Sequence, residues 1–268
     1  MEKNNQERML FDEVVATYDR IRPNYPAQLF SDMLNYVGAG SGKKAIEIGA
    51  GTGKATRPLL DAGYDVMAIE IGANMAEFLG KEFAQHDRFQ VVCDSFEDAA
   101  LTDGAYDLIY AATAFHWVDA DVGCPKALRL LKDGGAIALF RYTALPADGD
   151  PLYEDIQAVY AKHYTPYTRL EHVGKADYAK PAELKKAFGF DDLAKYGFVD
   201  VTLNTYDTVW TFSADNYLHL LDTFSDHRAL KDSDREALYA GVKAAIVRHG
   251  GQISVDYVVR LYMGKKQR

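Results

Sequence analysis

Cysteine is scarce in this chain: Cys93 and Cys124 are the only two in 268 residues. They form no CxxC pair and have no neighbouring pair of histidines, which excludes a zinc finger or a disulfide scaffold and points to a reducing compartment. Long apolar runs are missing as well. No stretch approaches the ~18 apolar residues of a spanning helix, and the opening MEKNNQERMLFDEVV lacks the apolar centre of a signal peptide. The expectation is a cytoplasmic protein with no membrane partner. Positive charge is also in deficit, with 30 Lys and Arg against 39 Asp and Glu for a formal net charge of -9. The one basic cluster is the tail Lys265, Lys266 and Arg268, so nucleic acid, which needs a concentrated Lys/Arg footprint, is not expected as a partner. HExxH, a nucleophile-base-acid triad, internal repeats and low-complexity linkers are absent from the sequence too. What is there is ordinary globular composition, 48% hydrophobic and 26% charged, in a chain long enough to bury a substantial core.

The most informative stretch is Ala45 to Thr56, AIEIGAGTGKAT. A short apolar run carrying one acid, Glu47, leads into Gly49, Gly51 and Gly53, which reads as a buried strand turning sharply into a helix. Glycine tolerates positive φ and leaves no Cβ where a ligand must lie against the backbone, so three in five positions predict the close approach of a cofactor. The spacing is not that of a dinucleotide fingerprint, because Lys54 stands where GxGxxG needs its third glycine. A Walker loop fails too: Ala55 follows the GK pair, and Ile48 occupies the place of its first glycine. The motif is E-x-GxGxG.

Around it, strand and helix alternate. Tyr64–Glu70, Phe89–Cys93, Tyr106–Ala111 and Ala136–Phe140 read as further strands, with helices over 26–37, from Arg57 to Ala62 and from Pro125 to Leu131, and a turn at Asp133-Gly134-Gly135. Five such alternations predict a parallel, doubly wound sheet with right-handed crossovers. In such a fold Glu70, at the end of the second strand, can accept both hydroxyls of a ribose. Asp94 ends the third strand, where a short acid can accept an exocyclic amine of adenine. After the fourth strand comes ATAFHWVD, which places Phe115, His116 and Trp117 at a strand end as a candidate pocket wall. Between Ala144 and Tyr196 no strand is evident. That segment carries Tyr153, Tyr160, Tyr164, Tyr167 and Tyr178, and a connection of this length predicts a functional cap. Long strands over 198–210 and 253–263, with helices over 214–222 and 232–249 between them, end the chain.

On E-x-GxGxG, the strand-end acids and the segment YDRIRPNYP, the chain resembles the class I S-adenosylmethionine-dependent methyltransferases. Within them it is similar to a small-molecule subgroup with an RPxYP segment ahead of the glycine motif. The likeness covers nearly the whole chain, including Tyr217, Leu221, Ser225 and His249-Gly250-Gly251. It implies an α/β fold, a doubly wound seven-stranded mostly parallel sheet of Rossmann-like type with helical cap insertions, closed by an antiparallel hairpin of the last two strands. Residues 1–268 would then be one domain: an amino-terminal lid and helix over 1–37, a cofactor core over 38–143, a cap over 144–196, and the final strands with their helices over 197–268. The resemblance implies S-adenosyl-L-methionine as cofactor, with its methionine end on Gly49, Gly51 and Gly53 and its amino group near Glu47. Met75 would pack on adenine, Asp94 would take the adenine amine beside the stacking positions Ser95 and Phe96, and Tyr18 and Arg22 would fold over the cofactor. Tyr25, Phe115, Trp117 and Arg141 are the candidate acceptor contacts.

A sulfonium methyl group is already activated, so no metal ligands are expected, and in-line alignment with exclusion of water can supply ~7 to 11 kcal/mol of barrier lowering. A general base is required only where the acceptor carries a proton in its reactive state, and His116 is the candidate. Arg22, Arg141 and Arg169 are candidate partners for a substrate carboxylate. The expectation is an enzyme acting on a small-molecule acceptor, as a monomer or homodimer. The competing readings are a non-catalytic binder of the same cofactor and, against the glycine spacing, an NAD-dependent oxidoreductase.

Overall fold

The computed structural model describes residues 15–38, 40–167 and 193–268. They fold as two compact units. The larger takes Asn24–Tyr142, the stretch ending at Tyr206 and Val259–Arg268; the smaller takes the stretch ending at Pro23, the stretch beginning at Thr143 and Asp207–Val258.

The chain forms one seven-stranded sheet. Its strands are β1 (Lys44–Ile48), β2 (Asp65–Glu70), β3 (Phe89–Cys93), β4 (Tyr106–Ala112), β5 (Leu131–Ala144), β6 (Phe198–Ser213) and β7 (Gln252–Lys266), in the order β3-β2-β1-β4-β5-β7-β6. β1 runs parallel to both β2 and β4, β2 to β3, and β4 to β5. Side chains alternate between two cores, as the period of 2 in a strand requires. Ala45, Leu108, Tyr110, Ala138 and Phe140 join one cluster, with Leu29 and Met33 of α2 (Ala27–Val37). Ile46, Ile48, Ile109, Ala111, Ile137 and Leu139 join the other, with Cys124, Ala127 and Leu130 of α5 (Ala120–Leu130). A sheet buried on both faces is the doubly wound arrangement that the alternation of elements predicts. α3 (Thr56–Asp61) and α4 (Ala73–Glu82) complete the crossovers around β2.

Strand order reverses between β1 and β4, since the chain steps outward from β1 to β3 and then returns to the other side. Such a reversal opens a crevice at the carboxyl ends of the two strands, the place where open α/β sheets bind ligands. The glycine turn follows β1 and Thr113–Trp117 follows β4, so both border it.

Three boundaries differ from expectation. α5 begins at Ala120 and not at Pro125, because Asp119 caps it by accepting from the Asp121 N–H at 3.0 Å, and the helix then runs through Pro125. β5 begins at Leu131, so the Asp133-Gly134-Gly135 turn lies inside a strand, where Gly134 at φ 77° absorbs an irregularity of register. β6 and β7 each extend a few residues further than expected. They are antiparallel: Thr211 Oγ1 meets Ser254 Oγ at 2.8 Å while the Ala214 N–H donates to the Gly251 carbonyl at 3.2 Å, so numbers rise on one strand as they fall on the other.

The smaller unit packs α1 (Val15–Ile21), α6 (Pro151–His163), α7 (Ala214–Leu221), α8 (Ser225–Arg228) and α9 (Asp232–Arg248) around Ile21, Ile156, Leu220, Leu221, Leu238, Val242, Ala245 and Ile246. α9 approaches α6 closely enough that a Cβ on Gly241 would lie 2.6 Å from Val159. The tyrosines of α6 fasten it to α8. Tyr160 Oη lies 2.8 Å from His227 Nε2, His227 Nδ1 lies 3.1 Å from Asp226, and the Tyr164 hydroxyl donates to Asp226 at 2.6 Å. Part of the tyrosine richness of this segment is therefore spent on internal bracing. Arg169 and Tyr178 lie outside the described residues.

Candidate active site

The glycine turn has the backbone its sequence predicts: Gly49, Gly51 and Gly53 adopt φ of 63°, 58° and 86°. Two of them are also required by packing. A Cβ on Gly49 would sit 2.6 Å from the Ala114 methyl, and one on Gly53 would sit 2.4 Å from the Phe83 ring. Beneath the turn Glu47 is wholly buried. Its Oε2 accepts from the Thr56 hydroxyl at 2.5 Å and from the Tyr110 hydroxyl at 2.8 Å, while Oε1 is buried with no hydrogen-bond partner. Burial pushes this carboxyl up to about 7, against the two hydroxyl donors and with a further push from the charge of Glu70. It is a buried acid held at one oxygen and unspent at the other.

Glu70 ties the end of β2 to the turn. One oxygen accepts from the Gly51 N–H at 2.8 Å and the other from the Gly72 N–H at 3.1 Å. The Glu70 carbonyl in turn accepts from the Asp94 N–H at 3.1 Å, and Asp94 Oδ1 caps the Ser95 N–H at 2.7 Å. Glu47, Gly51, Glu70 and Asp94 thus meet along one rim.

On the other side of the crevice, the Thr113 N–H donates to the Phe140 carbonyl at 2.7 Å, and its hydroxyl pairs with the Tyr25 hydroxyl at 2.7 Å. Thr113 has φ 54°, a left-handed conformation that a β-branched residue rarely adopts. A single 3₁₀ turn, Phe115–Trp117, follows, with the His116 and Trp117 rings 5.1 Å apart and tilted by 39°. Tyr25 stands edge-on to Phe140 at 4.9 Å. Arg141 follows Phe140 at the same edge of β5.

Several expected site residues are held by contacts within the fold. Phe96 and Phe115 are each 3% exposed and pack into the core beside α5, so neither ring has a face left for stacking or lining. Ser95 pairs with Asp98, donating to its carboxylate at 2.7 Å and accepting its N–H at 3.0 Å. Met75 is buried on α4. Tyr18 and Arg22 belong to the smaller unit, where Arg22 Nε donates to Thr223 Oγ1 and Nη2 to the Thr223 carbonyl, each at 2.8 Å. Thr56, Tyr110 and Thr113 are residues that the sequence did not single out. Among the described residues no group of three His, Cys, Asp or Glu side chains is placed to hold a metal, and no helix is long and apolar enough to cross a membrane.

Residues 46–139, which span β1 to β5 and carry this rim, match the methyltransferase domain family. The chain is an S-adenosylmethionine-dependent methyltransferase. This methyltransferase is 26% identical over 202 residues to an uncharacterised methyltransferase of Mycobacterium tuberculosis, covering 65% of this chain and 80% of that protein. Among solved structures its fold is shared by a candidate type II methyltransferase from Anaeromyxobacter dehalogenans, at TM-score 0.60 and 20% identity, over 92% of this chain and 98% of the other. It is shared too by a phosphoethanolamine N-methyltransferase from Haemonchus contortus, solved with phosphomonomethylethanolamine and S-adenosylhomocysteine, at TM-score 0.53 and 15% identity. There the match covers 96% of this chain and 58% of the other.

Proposed function

We propose that this methyltransferase acts on a small molecule, a carboxylate or an aromatic compound, with the cofactor lying across the rim from Glu47 to Asp94. The observation that carries the cofactor placement is the unspent Glu47 Oε1 beside a left-handed glycine turn at the reversal of the sheet. A buried acceptor of that kind suits an ammonium group, since a charge-assisted hydrogen bond offsets the cost of burying the carboxylate. Glu70, at the end of β2, is assigned to the ribose hydroxyls, and Asp94, after β3, to the adenine amine.

When bound, S-adenosylmethionine supplies an activated methyl group. The chain's own residues orient the acceptor and exclude water. Trp117 offers apolar surface, Arg141 a cation for a carboxylate, and His116 a base that an acceptor with a proton to lose can use. An acidic chain with no internal basic cluster favours a small acceptor over nucleic acid.

Calorimetry with S-adenosylmethionine and S-adenosylhomocysteine tests the first half, with affinity expected in the micromolar range, about -8 kcal/mol. A panel of carboxylates, phenols and amines with a product-linked assay tests the second. Turnover of nucleic acid or intact protein, with none across the panel, would overturn the acceptor assignment.

A further inference from the structure

We propose that Lys126 is a positioning residue for cofactor binding: it fastens the turn after β3 and thereby sets where the Asp94 carboxylate stands. This rests on the assignment of Asp94 to the adenine amine given above. β3 is an edge strand with β2 as its one neighbour in the sheet, so the chain that leaves it has strand support on one side alone. Residues 95–99 close on themselves. The Ser95 hydroxyl pairs with Asp98, and the Ala99 N–H donates to the Ser95 carbonyl at 2.9 Å. Phe96 and Ala99, both buried, anchor the apolar side of this turn. Its far end presents carbonyls beyond the last internal bond, and such groups need donors from outside.

Lys126, on α5, supplies them. Its Nζ donates to the Ala99 carbonyl at 2.7 Å and to the Glu97 carbonyl at 3.1 Å, and lies 5.4 Å from the centroid of the Phe96 ring. α5 is seated on the sheet through Cys124, Ala127 and Leu130, so the ammonium is carried by a rigid element. A chain of hydrogen bonds leads from it to the rim: the ammonium holds the turn, the turn holds Ser95, and the Ser95 N–H donates to Asp94 Oδ1 at 2.7 Å. Burial lowers the Lys126 pKa and the charge of Arg129 adds to this, while Asp98, Asp94 and Glu97 favour the charged form. Asp94 thus lies within the field of this ammonium as well as at the end of its hydrogen-bond chain. A binding group is only as well placed as the groups that support it, and a neutral, donor-free side chain at position 126 removes both supports.

Calorimetry with S-adenosylhomocysteine and S-inosylhomocysteine, in which a carbonyl oxygen replaces the adenine amine, reads the position of Asp94. The wild type is expected to prefer the adenine ligand about tenfold or more, the difference between a charge-assisted hydrogen bond and two opposed acceptors. Lys126→Met keeps much of the side chain's length and loses the ammonium. It should bind S-adenosylhomocysteine roughly fivefold more weakly, as part of that hydrogen bond is given up, and S-inosylhomocysteine almost as the wild type does, so the preference narrows. Lys126→Gln, neutral but still a donor, should fall between, and it carries the same comparison should the methionine variant not fold. Well below the unfolding transition, a lysine that only stabilises the fold leaves the preference at its wild-type value. Equal weakening of both ligands, or an unchanged preference, overturns the assignment. A wild type that binds both ligands equally removes Asp94 from the adenine amine, and the role of Lys126 falls with it.

Discussion

A carboxyl group with no exposed surface is protonated or charged according to what reaches it, and at Glu47 the balance stands near neutrality. Burial raises it from 4.5 to about 7 in the ligand-free protein. The sign of the consequence follows from proton counting. Between these two values the folded state binds more protons at Glu47 than the unfolded chain does, so this group's contribution to stability falls as pH rises, by about 3 kcal/mol in all. Ligand binding runs the other way. An ammonium at Oε1 favours the charged carboxylate, so binding releases a proton below pH 7, and affinity for S-adenosylhomocysteine should climb from pH 6 to pH 8. Glu47→Gln, which keeps an acceptor for Thr56 and Tyr110, is expected to flatten both dependences, to unfold at a higher temperature than wild type at pH 8, and to bind the ligand at least tenfold more weakly. Titration calorimetry in two buffers of different ionisation heat reads the proton release directly. Release that persists in the variant would assign it to another group. The acid itself was legible in E-x-GxGxG, but its environment was not. Thr56 and Tyr110 reach it from 9 and 63 positions away, and only the parallel register of β1 and β4 brings the latter alongside.

Elements show where strain has been accepted. The end of β4 carries a threonine at φ 54°, which costs about 1 to 3 kcal/mol relative to a relaxed conformation. It is held by Phe140 on one side and Tyr25 on the other. The gain is geometric: the bend brings Ala114 against Gly49, so the β4 loop closes onto the glycine turn, and the 3₁₀ turn bearing His116 and Trp117 starts from that contact. Thr113→Gly removes the strain together with the hydroxyl pair, so its stability should stay within about 1 kcal/mol of wild type. Tyr25→Phe keeps the strain and loses the pair, and should cost about 1 kcal/mol. Trp117 emission, recorded with Trp210→Phe as background, should shift in Thr113→Gly as the turn loosens. A substantial stability loss in Thr113→Gly would show that the conformation is not strained. Sequence pattern located this loop through ATAFHWVD but assigned its aromatic residues evenly to a pocket wall. The 3₁₀ turn carries Phe115 into the core instead, and no local signal separates it from Trp117 two positions on.

At the scale of the whole molecule, the sheet was legible because the first three strands end at a glycine or an acid and strand and helix alternate along the chain. The two-unit division was not, because it depends on contacts between distant segments. Arg22 is the plainest example. YDRIRPNYP predicts a cofactor contact for it and shows nothing of its partners in the fold, where it is 7% exposed, lies 4.5 Å over the Phe224 ring and donates twice to Thr223, 201 positions away. These contacts pin the residues after α1 to the loop between α7 and α8 within the smaller unit. Hydrogen bonds from a charged group contribute about 1.5 to 3 kcal/mol, and a desolvated cation over an aromatic face adds about 1 kcal/mol. Arg22→Ala is therefore expected to destabilise the protein by about 3 kcal/mol in urea unfolding. Arg22→Lys should recover little of that, because an ammonium cannot make the two-pronged contact of a guanidinium. Affinity for S-adenosylhomocysteine measured well below the unfolding transition separates the two roles. If Arg22 braces the smaller unit, both variants bind the ligand almost as wild type does while unfolding earlier. If instead the variants unfold with wild-type midpoints and lose affinity, the bracing contact contributes nothing and the arginine belongs to the cofactor after all.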